Sequence, residues 1–214
     1  MSDVFREVDE AVRQDQFKQV WKRYGWLILG ERVAIVLGAG GWQAGQAAAA
    51  ARPAEASDAY GTALQQARTG QVEASLESLA ALADPADGEV GTLAAFAQAR
   101  VLAGQGQTAE AVAIWDQLAA SDAAGPSFKA AALILSVQHQ LDSGDAAQLT
   151  ARLQPQLAEG QPFRAAAIEL TALLALRQGD TARARELLGS LATAEEATAS
   201  LRDRAQQLLQ AIGQ

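Results

Sequence analysis

The stretch GQTAEAVAIWDQLAA, residues 106–120, has counterparts elsewhere in the same chain: GQVEASLESLAALA at 70–83, GDAAQLTARLQPQLA at 144–158 and GDTARARELLGSLA at 179–192. Each opens on a glycine, and Gly70, Gly106, Gly144 and Gly179 stand 36, 38 and 35 residues apart. Large apolar side chains fall nine and twelve places after three of these glycines: Leu79 and Leu82, Trp115 and Leu118, Leu188 and Leu191. In the third unit the pair is Leu153 and Leu157, with the second member displaced by one. A separation of three or four puts both side chains on one face of a helix.

Each stretch follows another apolar segment with helical character, at 54–69, 89–103, 126–141 and 162–178. The unit is therefore helix, glycine turn, helix. A recurrence near 36 residues is the mark of a tetratricopeptide-like α-solenoid. The full Trp-Leu-Gly-Tyr consensus is missing, but Ala and Gly occupy several close-packing places. Residues 195–212, apolar at Leu201, Ala205, Leu208, Leu209 and Ile212 and polar at Arg202, Arg204 and Gln206, suit the capping helix that a stack of repeats requires. No alternating β-branched run follows residue 40, so the expected class is all-α.

Composition narrows the function. Half of the 214 residues are apolar but only 5% are aromatic, which predicts closely packed, Ala-rich helices. Cysteine is absent and His139 is the single histidine. That removes disulfides, thiolate chemistry and any site needing two imidazoles. The net charge is −8. Residues 1–51 are balanced at six basic and six acidic side chains, whereas 52–214 hold 11 basic and 19 acidic. Such a domain lacks the basic face a nucleic-acid reader needs, and a concave acidic surface is expected instead.

Nearer the N-terminus, RVAIVLGAGGWQAG at 32–45 supports two incompatible readings. As a strand entering a glycine-rich turn, it would open an NAD-binding fold on Gly38-Ala39-Gly40. That loop needs a third glycine for close helix–strand packing, and Gln43 stands there; it also needs a second strand ending in an acidic residue about 20 positions on, where RPAEASDAY lies. As the middle of a membrane-spanning helix, the segment 24–49 is long enough, since a span needs about 20 residues. Trp26 and Trp42 bracket it, roughly 24 Å apart along a helix, close to the spacing of interfacial aromatic belts. Lys18, Lys22 and Arg23 crowd the N-terminal flank, which by the positive-inside rule places residues 1–23 in the cytoplasm. The polar, acidic start is wrong for a signal peptide.

Gly30, Ala34 and Gly38, then Gly41 and Gly45, recur every four residues and form a small-residue face suited to packing against other membrane helices. Glu31 and Arg32 interrupt the span. A mid-membrane charge costs roughly 2.5–3.5 kcal/mol on insertion scales. The two sit on different helix faces, so they pair poorly, but Arg32 can reach back toward the near interface. A soluble or peripheral repeat adaptor is the alternative.

Other candidates have plain structural readings. Trp115 repeats the Leu79 and Leu188 position, which points to core packing, and His139 belongs to a helix end. Glu195 and Glu196 suit a helix N-terminus, where the dipole favours negative charge. No constellation of nucleophile and base is present, so no enzyme, cofactor or metal is expected.

The opening MSDVFREVDEAVRQDQFKQVWKRYG, the apolar span ending in GGW, and later PFRAAAIELTALLALRQGDTARARELLGSL and SLRDRAQQLLQAI together resemble the bacterial ancillary SecYEG translocon subunit family, the YfgM-like group, in its alphaproteobacterial type. The resemblance covers essentially the whole chain, and Glu31-Arg32 departs from the family's uninterrupted apolar span. It implies a single-pass inner-membrane protein, with residues 1–23 cytoplasmic, 24–49 transmembrane and 50–214 a periplasmic repeat domain. It further implies a non-catalytic role in protein translocation, with the translocon and a membrane-anchored periplasmic chaperone as partners and no small-molecule substrate or nucleic acid.

Overall fold

The computed structural model describes residues 54–213. The expected cytoplasmic segment 1–23, the expected span 24–49, the candidate packing residues Gly30, Ala34, Gly38, Gly41 and Gly45, and the charges Glu31 and Arg32 lie outside the described residues. The chain divides after Glu55, and the helices below build the second unit, Ala56–Gln214.

Among the described residues there are nine α-helices and no strand. Helix α1 is described over residues 54–68. It is followed by α2 (Val72–Leu82), α3 (Glu89–Gly104), α4 (Thr108–Ala120), α5 (Pro126–His139), α6 (Ala146–Leu153), α7 (Arg164–Arg177), α8 (Thr181–Thr193) and α9 (Ala199–Ile212). The odd-numbered helices α1, α3, α5 and α7 are the first members of four pairs, and α9 closes the stack. None of these helices is long and apolar enough to cross a membrane.

Three of the four intra-pair turns are built alike. Gly70, Gly106 and Gly179 have φ of 82°, 78° and 79°, the left-handed region that glycine enters without a Cβ penalty. The next residue then donates its N–H back five positions: Gln71 to Gln66 O at 2.9 Å, Gln107 to Leu102 O at 3.0 Å, and Asp180 to Ala175 O at 2.9 Å. This bond satisfies a carbonyl that the helix end would leave orphaned. Asp180 also accepts from Arg183 N at 2.9 Å and caps α8.

The third turn differs. Helix α5 ends at His139 and α6 begins at Ala146, so the link is longer. Gly144 is not among the left-handed glycines, and its N–H donates to Gln140 O at 2.8 Å. Arg177 of α7 donates to the Leu141 and Gly144 carbonyls, supplying from the next pair what the local turn lacks. Helix α6 is short, and Pro155 lies in the 3-10 turn Gln154–Leu157 that follows it, which accounts for the displaced Leu157.

Packing follows the repeat. Leu79, Trp115, Leu153 and Leu188, all nine places after the turn glycine, are 0–1% exposed. Small or short residues seven places before the same glycines, Ala63, Ala99, Val137 and Ala172, are fully buried as well. The twelfth-place residues divide: Leu118 and Leu191 are buried, Leu82 only half so. The apolar interior is a series of clusters, each joining a helix pair to the first helix of the next. Leu79 packs with Ala63 and Ala94, Trp115 with Ala99 and Ala132, Leu153 with Val137 and Leu174, and Leu188 with Ala172 and Ala205 of α9.

Two helix starts move from their expected places. Phe163 adopts φ 60°, so α7 begins at Arg164 rather than at 162. Helix α9 begins at Ala199, capped by Thr198 through Leu201 N at 3.4 Å, rather than at 195. Glu196 therefore does not serve a helix N-terminus; it pairs with Arg164 at 2.6 Å.

Gly91, buried in the first turn of α3, permits the closest backbone approach. A Cβ there would lie 1.8 Å from the Asp84 carbonyl oxygen. In contrast, a Cβ on Gly189 of α8 would meet nothing within 4 Å. Gly91→Ala is expected to destabilise the fold by about 1–3 kcal/mol through forced backbone movement, while Gly189→Ala gains up to about 1 kcal/mol of helix propensity. Urea unfolding followed by circular dichroism reads both, and shifts of the same sign would contradict the packing described.

Candidate partner-binding groove

Helices α1, α3 and α5 line one open groove of about 810 Å³. Tyr60, Leu64 and Arg68 come from α1; Leu93, Phe96 and Arg100 from α3; Leu135 and His139 from α5. Within each helix these residues recur at intervals of three and four, so each set occupies one face. The neighbouring faces that carry Ala63 and Ala99, and the opposite face that carries Val137, are committed to the interior.

Trp115 of α4 reaches the groove from beneath. It is 1% exposed, and the His139 ring stacks against it with centroids 4.6 Å apart. The reading of Trp115 as a packing residue therefore holds, and His139 does lie in the last turn of a helix. The same pair also lines the groove, Trp115 from beneath and His139 as an exposed side chain, a role the sequence pattern does not signal. The buried indole N–H of Trp115 has no acceptor among the described residues. Phe96 adds an aromatic contact to Phe128 at 6.0 Å, and Leu93 is 38% exposed, one of two large apolar side chains so open to solvent among the described residues.

The electrostatics correct one expectation. The groove lining contains two arginines and one histidine and no carboxylate, so this surface is not acidic. Eight of the nineteen described carboxylates are engaged elsewhere. Asp84, Asp145 and Asp180 cap helices, and Asp116, Asp122, Glu169, Glu186 and Glu196 hold cations.

The described residues hold ten Lys and Arg side chains, and eight have partners. Lys129 pairs with Asp122 at 3.6 Å, Arg183 with Glu186 at 2.6 Å, and Arg152 with Asp116. Arg164 holds Glu196 and donates to Leu157 O at 2.8 Å. Arg177, Arg185 and Arg202 donate to backbone carbonyls. Arg204 of α9 grips Glu169 of α7 through two bonds, 2.7 and 2.8 Å, and that hydrogen bonding to the carboxylate raises the guanidinium's pKa further above its usual value. The two that remain are Arg68 and Arg100. Both are exposed, and neither has an ion-pair or hydrogen-bond partner among the described residues.

One further polar cluster joins three helices. Asp116 of α4 accepts from Ser136 of α5 and Arg152 of α6, and Gln140 Nε2 donates to Ser136 Oγ at 2.9 Å. Its groups satisfy one another, which suits a strut between pairs.

The sequence did contain a signal for the groove. Helix α3 carries more apolar residues than one buried face holds: Ala94, Ala95, Ala99 and Leu102 are buried, Phe96, Ala97 and Val101 are half-buried against the core while lining the groove, and Leu93 is exposed on it. An apolar stripe wider than one interior face marks a second surface.

A model of the tetratricopeptide repeat-like domain matches residues 18–213. No curated protein and no solved structure matches the chain.

Substitutions separate groove from interior. Trp115→Ala is expected to cost about 3–5 kcal/mol by opening a cavity. Arg204→Ala costs about 1–3 kcal/mol, because it strips the charged partner from the buried Glu169 carboxylate. Arg68→Ala and Arg100→Ala stay within about 0.5 kcal/mol, as surface changes without lost contacts do. Equilibrium unfolding in urea compares all four, and losses at Arg68 or Arg100 equal to that at Arg204 would overturn the assignment of free groove cations.

Proposed function

The chain belongs to the tetratricopeptide repeat-like domain family, and we propose that it is a membrane-anchored, non-catalytic scaffold acting at the bacterial protein-translocation channel. Repeat domains of this kind are typically protein-interaction modules: stacked helix pairs create an extended surface that presents side chains to partners. The observation that carries this reading is the groove. Its first helices present Arg68, Leu93 and Arg100 to solvent beside Tyr60, Leu64, Phe96 and Leu135, which are half-buried.

The finer parts of the proposal rest on the N-terminal sequence. The aromatic pair Trp26 and Trp42, the basic flank at Lys18, Lys22 and Arg23, and the small-residue face Gly30, Ala34, Gly38, Gly41 and Gly45 support one inner-membrane span. In this reading residues 1–23 lie in the cytoplasm and the repeat domain in the periplasm. The translocon and a membrane-anchored periplasmic chaperone are the proposed partners, in keeping with the resemblance of the N-terminal block. A soluble or peripheral adaptor is the second reading, favoured by Glu31 and Arg32 within the apolar segment. An NAD-binding sheet would need further strands, and the described residues contain none.

Carbonate washing of membranes from cells making the full chain tests the anchor. Retention in the pellet is the expected result, with Glu31→Leu/Arg32→Leu retained at least as firmly. Release of the unaltered chain into the supernatant would favour the peripheral adaptor. A periplasm-active reporter fused after Gln214 is expected to be active, and activity only of a cytoplasm-active reporter would reverse the orientation.

A further inference from the structure

We propose that the groove between α1, α3 and α5 binds an acidic peptide segment that also carries apolar side chains, with Arg68 and Arg100 as its carboxylate contacts. This assignment rests on the scaffold reading and adds the chemistry of the partner.

Three observations converge on it. First, eight of the ten described Lys and Arg side chains are engaged within the fold, and the two without a described partner share one groove. Second, that groove has no carboxylate of its own, although residues 52–214 hold 19 acidic side chains against 11 basic. An arginine fork left open beside apolar surface is a receptor for a planar carboxylate, which it can meet through paired hydrogen bonds. Third, Leu93, Phe96, Tyr60 and Leu64 lie beside the two arginines, so the occupant must offer apolar groups as well as acid.

Other anions fit less well. A nucleic acid would need many cations to neutralise its phosphates, and this acidic domain sets two in the groove. A flat anionic membrane would meet the rim of the groove rather than the buried Trp115 beneath it. A peptide can enter it and present acidic and apolar side chains on opposite edges of one strand.

The test uses the full chain in detergent micelles and three fluorescein-labelled peptides of twelve residues. All carry Leu and Phe at alternate positions, with Glu, Gln or Lys between them. Fluorescence anisotropy is expected to show the Glu peptide binding about tenfold or more tighter than the Gln peptide, the scale of one charge-assisted contact, and the Lys peptide weakest. Arg68→Ala/Arg100→Ala should abolish the preference for Glu over Gln and leave Gln-peptide binding unchanged. Arg183→Ala, on α8 and outside the groove, should preserve the preference.

Equal affinity for the three peptides would overturn the proposal, as would a Glu preference that survives loss of both arginines. Absence of binding by any peptide would overturn it too. Competition by phosphatidylglycerol vesicles that depends on Arg68 and Arg100 would assign the groove to lipid instead, and self-association lost in the double variant would assign it to a second copy. A photo-crosslinker placed at Leu93 or at Phe96 in cells keeps the two levels apart. Protein adducts there sustain the scaffold reading even where the acidic-peptide assignment fails, and adducts at neither Leu93 nor Phe96 count against the scaffold itself.

Discussion

Each described helix pair shares the burial of one large second-helix side chain with the helix that follows it. Leu79, Trp115, Leu153 and Leu188 project from the second helix of each pair, and each packs with residues of both its own pair and the next helix in sequence. Full burial of one such side chain is worth about 1.5–3 kcal/mol, so every pair makes its neighbour's packing favourable. The small partners Ala63, Ala99 and Ala172 let the helices come close enough to exclude water from these contacts. Stability in such a stack is a sum of local terms and nearest-neighbour interfaces, and the stack must be closed at its end. Helix α9 does this: Ala205 packs with Leu188, and Arg202 and Arg204 bond back to carbonyls of the preceding loop and to Glu169 of α7.

The third pair shows how a departure from the repeat is accommodated. Its turn lacks the left-handed glycine geometry of the other three, and its second helix is cut to Ala146–Leu153. The carbonyls this leaves open at Leu141 and Gly144 are reached by Arg177, from a helix more than thirty residues away in sequence. Asp116, Ser136 and Arg152 add polar bonds among α4, α5 and α6. Where the local turn contributes less, bonds between pairs contribute more, so the irregular unit is tied to both neighbours.

These two features explain what the sequence revealed and what it withheld. Period, helix order and the most buried side chains were legible because each depends on residues a few places apart: a glycine, then a large apolar residue nine positions later. Helix ends were less so. Glu195 and Glu196 have the composition of a helix start, yet Thr198 provides the cap, because Glu196 finds Arg164 across the fold. The groove was legible only as excess apolar surface on α3. Nothing in the sequence separates Arg68 and Arg100 from Arg164 or Arg204; the difference lies in partners brought together by the stack, such as Glu169, 35 residues from Arg204.

The charge layout acquires a meaning at this point. A domain with a large acidic excess repels an acidic ligand at long range, and this field slows encounter. At physiological salt the repulsion fades beyond about 8 Å, while contacts inside a groove are screened much less. The sign that governs a bound ligand is therefore set by the nearest charges, Arg68 and Arg100, and not by the net charge. The same arrangement discriminates. A basic peptide is drawn toward the domain as a whole but meets two guanidiniums in the groove, where like charges side by side cost several kcal/mol. An acidic peptide approaches more slowly and is retained. Specificity then resides in the dissociation rate, the quantity by which related interfaces mostly differ.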